Sequence, residues 1–391
     1  MPAARRGWDA TRFCRPRILN VTTTNAFNPA LARYAKCVVA ATFGLIFIGG
    51  LVTTNHAGMA VPDWPLSFGS VNPEGWWGNL PVRLEHGHRQ LAESVGLLVG
   101  ILCAWVWRNG WPLLVAALVG VGVNRIAIVA GLPPIMVAHL SIWLPALAFA
   151  IALLWMSKSR EPSTSRAARA LAFAAFIGVC LQATLGGLRV TVETGGNPHL
   201  ALRLAIAHAC VAQAELCVLV AIATLVSRGW VMDAWTSVSA GFSAVKRLAW
   251  VAVCAVYGQL IVGAAMRHKG AGLAIPTFPE ANEDGGWMPK VHNIFTDLNF
   301  AHTRIGAALV TLLILSLAVL VLRRARGEVR LTSPAIGLLG LVLVQVSLGV
   351  YVIWHVKPVT LTTIHVVNGA AVLALSLLLA LRAGRFAEVK P

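Results

Sequence analysis

Long apolar runs dominate the chain, and the segments between them are short and either basic or rich in Pro, Gly and Trp. A helix needs about 20 apolar residues to cross the hydrocarbon of a bilayer. The first run, CVVAATFGLIFIGGLVTT from Cys37, resembles the apolar part of a signal peptide in length. It lacks a clear small-residue cleavage site and many more runs follow, so it predicts the first membrane helix. A loop at residues 55–84 precedes a second span at about 85–107. The breaker GLPP separates runs at about 112–131 and 136–156, which predicts a tight helical hairpin. Further spans are predicted at about 171–188, 204–227, 248–265, 299–322, 334–354 and 361–381, ten in all.

The pattern also repeats. AGMAVPDWP at 57–65 matches AGLAIPTFP at 271–279, an offset of 214 residues, and the same offset carries His88 onto His302. QATLGGLRV (182–190) resembles QVSLGVYVI (345–353), and each is followed by a histidine near the start of the next span, His208 and His365. The chain therefore reads as two similar four-helix halves, 1–230 and 245–391, with an extra hairpin at 110–160. Each half starts from the same side, the form of a parallel repeat. The expected fold is an all-α integral membrane protein of about ten transmembrane helices, two pseudo-symmetric four-helix bundles plus the hairpin.

Composition agrees: of 391 residues 57% are hydrophobic and 12% charged, and the mean hydropathy is +0.73. A soluble domain carries about twice that charged fraction. A net charge of +17 would suit nucleic acid if the cations shared a soluble face. They lie instead between apolar runs, which argues against nucleic acid and for a lipid bilayer. Placing the N-terminus inside puts most of the 32 Lys and Arg on one side, including the basic tail at 1–36. The positive-inside rule then makes both termini cytoplasmic and the protein a multi-pass one of the cell (inner) membrane. None of the seven cysteines falls in a segment placed outside, so no disulfide framework is implied.

Candidate chemistry starts at RLEHGHRQLAESVG, residues 83–96. Glu85 stands three positions before His88, so both side chains share a helix face one turn apart. Ionisable groups in a span cost roughly 2.5–3.5 kcal/mol each on insertion scales, which points to a functional site with a partner. The plain alternative is that the pair caps the span at the water interface. Four histidines, His88, His208, His302 and His365, lie about three to five residues inside spans entered from the outer side, at a common level of roughly 5–8 Å. Neutral imidazole is an axial ligand for haem iron, and facing helices of a bundle hold such groups. A single membrane histidine is more often an interhelical hydrogen-bond partner, but four in a repeated frame favour ligation. Zinc would want local spacing such as HExxH, whereas His86 and His88 diverge on a helix. His139 obeys the same depth rule on the extra hairpin and reads as a remnant of duplication or a fifth ligand. His56, His199, His268, His292 and His355 are expected in solvent, and Trp64, Trp76 and Trp77 at the interface as anchors.

The stretches GMAVPDWPLSFG, EHGHR, LGGLRV followed by HACVAQAE, RHKGAGLAIPTFP, NFAHTR, QVSLGV and TTIHVVNGA, in this order and repeat spacing, resemble the haem A synthase family. The similarity covers roughly residues 40–380 outside the hairpin. It implies a membrane enzyme that oxidises the C8 methyl group of haem O to the formyl group of haem A, for terminal oxidase assembly. It implies a haem b cofactor in the C-terminal half, 245–391, on His302 and His365. The haem O substrate would sit in the N-terminal half, 37–230, on His88 and His208, with Glu85 matching the family's acidic residue beside the first ligand. Haem O synthase and an unidentified electron donor would be partners. Arg89, Arg203, Arg267 and Arg304 cluster at the outer level, where charge-assisted bonds would hold haem propionates, with lipid-headgroup contact as the alternative.

The chain also departs from the family. Many members carry a cysteine pair in the first outer loop, where this sequence has Met59 and Ser67 and no cysteine, so any cysteine-dependent step is absent or replaced. Eight spans are usual, and the hairpin leaves open whether His139 or His208 faces His88. The closer likeness of LGGLRV and its following helix favours His208. The position equivalent to Glu85 in the second half is Asn299, so only one half has an acid beside its histidine. A bis-histidine membrane carrier of the cytochrome b type would predict equivalent halves. A transporter would predict broken helices and midplane charges, for which Arg125 is the one obvious candidate.

Overall fold

The computed structural model describes residues 27–156, 164–233, 235, 237–238 and 242–388. The expected basic tail at 1–36 lies outside these residues up to position 26, and its remainder runs into the first helix. Ten long helices order the described chain: α1 (Pro29–Thr54), α2 (Leu80–Val106), α3 (Trp111–Val129), α4 (Pro134–Met156) and α5 (Arg166–Thr194). They continue as α6 (Pro198–Leu225), α7 (Phe242–His268), α8 (Ile294–Arg324), α9 (Val329–Trp354) and α10 (Val359–Arg385). Nine are long and apolar enough to cross a membrane, and α3 is a shorter apolar helix. Residues such as Leu97, Leu312 and Leu343 are more than 60% exposed on outward faces, where lipid rather than water accounts for them. The protein is an all-α integral membrane protein. Its strand content among the described residues is a two-residue parallel pairing of Ser237–Val238 with Ala387–Glu388.

Several helices start earlier than the apolar runs suggest. The sequence places the second, sixth and eighth spans at about 85, 204 and 299, whereas the helices begin at Leu80, Pro198 and Ile294. Asparagine caps explain the difference. Asn79, Asn197 and Asn293 each accept a backbone N–H of the first turn on the side-chain oxygen, and Pro81 and Pro198 occupy first-turn positions that need no donor. Hydropathy marks where the bilayer begins, whereas the cap marks where the helix begins.

Packing gathers the buried side chains into three clusters. One lies among α1, α2, α5 and α6, with Phe149 and Leu153 of α4 added. A second lies among α7 to α10. A third joins them, setting Leu216 and Val220 of α6 against Ala370, Ala374 and Leu377 of α10. The extra hairpin, α3 and α4, rests against α2 and α5 at the side of the first cluster. In lipid, apolar area alone does not hold helices together, and close approach at small residues does. At Gly50 of α1 an added methyl would stand 2.9 Å from Thr363 Cγ2 of α10.

One helix departs from α geometry. Residues Ala301–Gly306 of α8 form a π-helical turn, which inserts one residue relative to a regular helix.

The α1–α10 crossing gives a direct test. Gly50→Val forces two further carbons into Thr363 and should cost about 1–3 kcal/mol, the usual scale of overpacking, while Gly44→Ala, with nothing within 4 Å, should cost nothing. Apparent Tm in detergent should fall for the first variant alone; equal Tm values would remove this crossing from the determinants of the fold.

Candidate functional site

Each of the four expected ligand histidines stands against a glycine of the preceding helix in its own half. A methyl added at Gly49 of α1 would lie 3.0 Å from His88 Nε2 on α2, and one at Gly186 of α5 would lie 3.4 Å from His208 Cε1 on α6. The second half repeats this, with Gly263 of α7 2.6 Å from His302 Cε1 on α8 and Gly349 of α9 3.2 Å from His365 Cε1 on α10. Gly49 and Gly263 are related by the offset that relates His88 to His302. The glycines let the backbones close in, so the imidazoles lie between helices instead of facing lipid. From the observed helix starts the histidines lie about 9–15 Å along the axis, deeper than the apolar runs alone suggest.

Glutamine side chains from neighbouring helices hold three of the four. Gln182 Nε2 donates to the His208 carbonyl at 3.2 Å, and Gln259 Nε2 to the His302 carbonyl at 2.7 Å. Gln345 Nε2 meets His365 Nε2 at 3.3 Å, and its own Oε1 accepts from Asn368 Nδ2 at 2.8 Å. That acceptor bond orients the Gln345 amide, which makes His365 Nε2 the lone-pair nitrogen of a neutral ring. The buried Nδ1 atoms of His208, His302 and His365 have no partner among the described residues.

In the second half His302 and His365 lie with ring centroids 6.4 Å apart and planes at 76°. They line an apolar cavity of about 260 Å³ enclosed mainly by α7 to α10, with Gln213 of α6 reaching its wall. Metal–imidazole bonds of about 2 Å on each side span such a separation. Two buried imidazoles, an apolar wall and glycine shelves would suit a flat iron-bearing macrocycle held by both histidines. In the first half His88 and His208 are close enough to interact electrostatically. His139 instead packs its ring against Trp64 at 5.7 Å.

The two repeat-related loops, 55–79 and 269–293, are bolted down by arginine. Arg89 donates to the carbonyls of Val61, Asp63 and Leu66 at 2.7–3.0 Å and to Glu85 Oε1 at 2.9 Å. Arg304 donates to the carbonyls of Thr277 and Glu280 at 2.5 and 2.8 Å, and to Asn299 Oδ1 at 3.3 Å. Residues 277, 280 and 299 stand 214 positions after 63, 66 and 85, while Arg304 stands 215 after Arg89. The π-helical turn at 301–306 takes up the extra residue, so the two clamps coincide in structure. Glu85 completes its clamp by accepting from the Ala60 N–H at 3.2 Å; Asn299 completes the other by donating to the carbonyls of Ala271 and Gly272. Beside Glu85, His86 is buried and bonds Ser67 Oγ and Gln90, diverging from His88 as the i, i+2 spacing predicts.

A family model described as cytochrome oxidase assembly protein matches residues 136–377, from the start of α4 into α10. The chain belongs to the cytochrome oxidase assembly protein family. The match contains His208, His302 and His365, whereas Glu85 and His88 precede it and are tied to the site by the internal repeat. Over 89 residues the chain is 35% identical to a heme A synthase of Brucella ovis and to one of Brucella abortus. A heme A synthase of Brucella anthropi is 34% identical over the same length. Each alignment covers 20% of this chain and 25% of the relative, so the chain spans about a quarter of the length of the curated relatives it matches.

Several expected placements shift. Arg89 and Arg304 spend their terminal nitrogens on the protein, chiefly on loop carbonyls. Arg267 lines the cavity with His302 and His365 as expected and also turns Nη2 to Gly50 O at 2.7 Å and Thr54 Oγ1 at 2.5 Å, bridging α7 to α1, whereas Arg203 is exposed on α6. His268, expected in solvent, lines the cavity. Trp64 turns inward against Gly187 of α5, where a methyl would stand 2.3 Å away, while Trp77 is 66% exposed. Sequence reasoning passed over Glu215, only 7% exposed on α6, whose Oε1 has no partner among the described residues. It lies seven residues after His208, two turns along the same face. The motif HACVAQAE contained the signal, a charged residue inside an apolar run.

The clamp gives a measurable consequence. Arg89→Lys removes a planar fork that four acceptors use and should raise hydrogen exchange at 61–66 by roughly tenfold or more, in line with losing about 1.5–3 kcal/mol of charge-assisted bonding. Arg304→Lys should do the same at 277–280 and leave 61–66 alone. Exchange unchanged in both loops would mean that the arginines do not hold them.

Proposed function

We propose that this chain is a haem A synthase of the cell (inner) membrane, oxidising the C8 methyl group of haem O to the formyl group of haem A for terminal oxidase assembly. The observation that carries this reading is the repeated frame of four glycine-backed histidines in which one half alone carries an acid at the ligand. The relatives named heme A synthase and the family support it. Residues 37–230 are the substrate half, with His88 and His208 as haem O ligands, and 245–391 the cofactor half, with His302 and His365 holding haem b. Both termini lie in the cytoplasm, and haem O synthase and an electron donor are the partners.

The cofactor, when bound, supplies one-electron chemistry. The protein's own residues do the rest. The apolar cavity keeps water from the ring, and Gln345, oriented by Asn368, holds His365 in the neutral tautomer whose Nε2 carries the lone pair. Glu85 holds a proton-exchanging oxygen next to the first histidine, since Oε2 accepts only a long backbone bond from Ala60. Asn299 performs the loop-anchoring part of this position in the other half. Anchoring therefore needs no charge, and the carboxylate at Glu85 is surplus to it. Asymmetry extends to Glu215, whose counterpart after His365 is Val372.

His302→Ala or His365→Ala should abolish the low-spin b-type spectrum of the purified protein, because the lost ligand opens the iron's coordination. A spectrum unchanged in the double variant would end the assignment of the second half. Glu85→Gln keeps the shape and the amide-compatible clamp, so haem content should persist while conversion of haem O to haem A falls about 10²-fold or more, the scale of general acid–base roles. The readout is the haem A to haem O ratio in membranes at matched protein level; a wild-type ratio would return a bis-histidine electron carrier to first place.

A further inference from the structure

Resting on the haem reading above, we propose that Arg189 and Lys357 are the cations that bind the carboxylates of the two tetrapyrroles, one in each half. A cation for this task needs open donors at the edge of the pocket. Arg89 and Arg304 do not qualify, because their terminal nitrogens are committed to the outer loops.

Arg189 of α5 has what they lack. Its guanidinium lies over the first outer loop, where a methyl on Gly58 would stand 2.6 Å from Nη2 and 2.7 Å from Nη1. It is half-buried, and among the described residues it makes no hydrogen bond. Its charge reaches Glu85, His88, His208 and His268. A half-buried guanidinium with open donors is costly unless an anion completes it.

The second half contains the counterpart by a different route. Gly272 stands 214 residues after Gly58, and a methyl there would lie 3.2 Å from Lys357 Cδ. Lys357 lines the cavity together with His302 and His365. It follows α9, the helix that corresponds to α5. Val356 and Lys357 adopt left-handed backbone with φ of 55° and 56°, a conformation that costs a branched residue and concentrates at ligand sites. The repeat aligns Arg189 with Val352, not with Lys357, so the two cations share a place in space and no place in the alignment. Loop glycine and cation together form one device in each half, a backbone without side chain that lets a charge lie close over the pocket.

The test uses protein purified with its haems bound. Lys357→Met should lower the midpoint potential of the second-half haem, because a positive charge leaves its edge, and should speed haem transfer to a soluble haem acceptor protein tenfold or more. Lys357→Arg should restore both values, which separates charge from folding. Arg189→Gln should speed release of the first-half haem and leave the second-half potential unchanged. Wild-type protein without any bound tetrapyrrole would sink the functional reading itself. Haem bound normally, with release rates and potential of Lys357→Met and Arg189→Gln equal to wild type, would overturn this inference alone.

Discussion

Everything at the site depends on how closely paired helices approach at glycine. In lipid the apolar surface of one helix gains nothing by touching another in place of an acyl chain, so contact must come from fit and from polar bonds. Gly49, Gly186, Gly263 and Gly349 provide that fit where an imidazole from the next helix needs room. The same contact places the ring between helices, leaves the Nδ1 atoms of His208, His302 and His365 without partners, and opens the apolar cavity beside His302 and His365. A side chain at Gly263 would force the His302 ring to shift, and one at Gly49 or Gly349 would press its imidazole by a few tenths of an ångström.

The outer loops are the second layer of the same design. Each is fixed by an arginine fork on three acceptor positions that recur at one constant offset. The arginine itself is displaced by one residue, and the π-helical turn of α8 reconciles the two registers. This turn begins at the residue before His302, so the register change sits at a candidate-site histidine of one half and has no counterpart in α2. Gln259, whose oxygen a methyl on Gly306 would meet at 1.9 Å, supports the irregular turn from α7. The repeat thus preserves the loop clamp, while the backbone beneath it has changed.

Much of this was legible in the sequence because apolar length and repeated motifs report directly on spans and pseudo-symmetry. The ten helices and the extra hairpin followed from these alone. Helix starts did not, since Asn79, Asn197 and Asn293 carry the helices past the apolar runs and hydropathy does not register a cap. The arginines were found without their loop partners: sequence spacing shows that Arg89 is near the level of His88, but not that Asp63 and Leu66 return to its guanidinium. Arg189 and Lys357 carry no shared sequence signal, because only the fold brings each beside one of the repeat-related glycines, Gly58 and Gly272. His268 was assigned to solvent because it ends a helix, and the structure turns it into the cavity at the seam between the halves.

That seam decides how two near-equivalent halves divide a task. The most deeply packed helices, α6 and α10, carry the second histidine of each half and face each other through Leu216, Val220, Ala370 and Ala374. Arg267 crosses from α7 to the Gly50 carbonyl of α1, and the charge of Arg189 reaches both His208 in the first half and His268 at the end of the second half's first helix. Symmetry supplies two pairs of glycine-backed histidines in the same frame. The substitutions that break it, Glu85 against Asn299 and Glu215 against Val372, put both acids in one half. A pair of sites that only passed electrons would gain nothing from that placement, whereas a site that must exchange protons with a bound substrate would need it on one side alone.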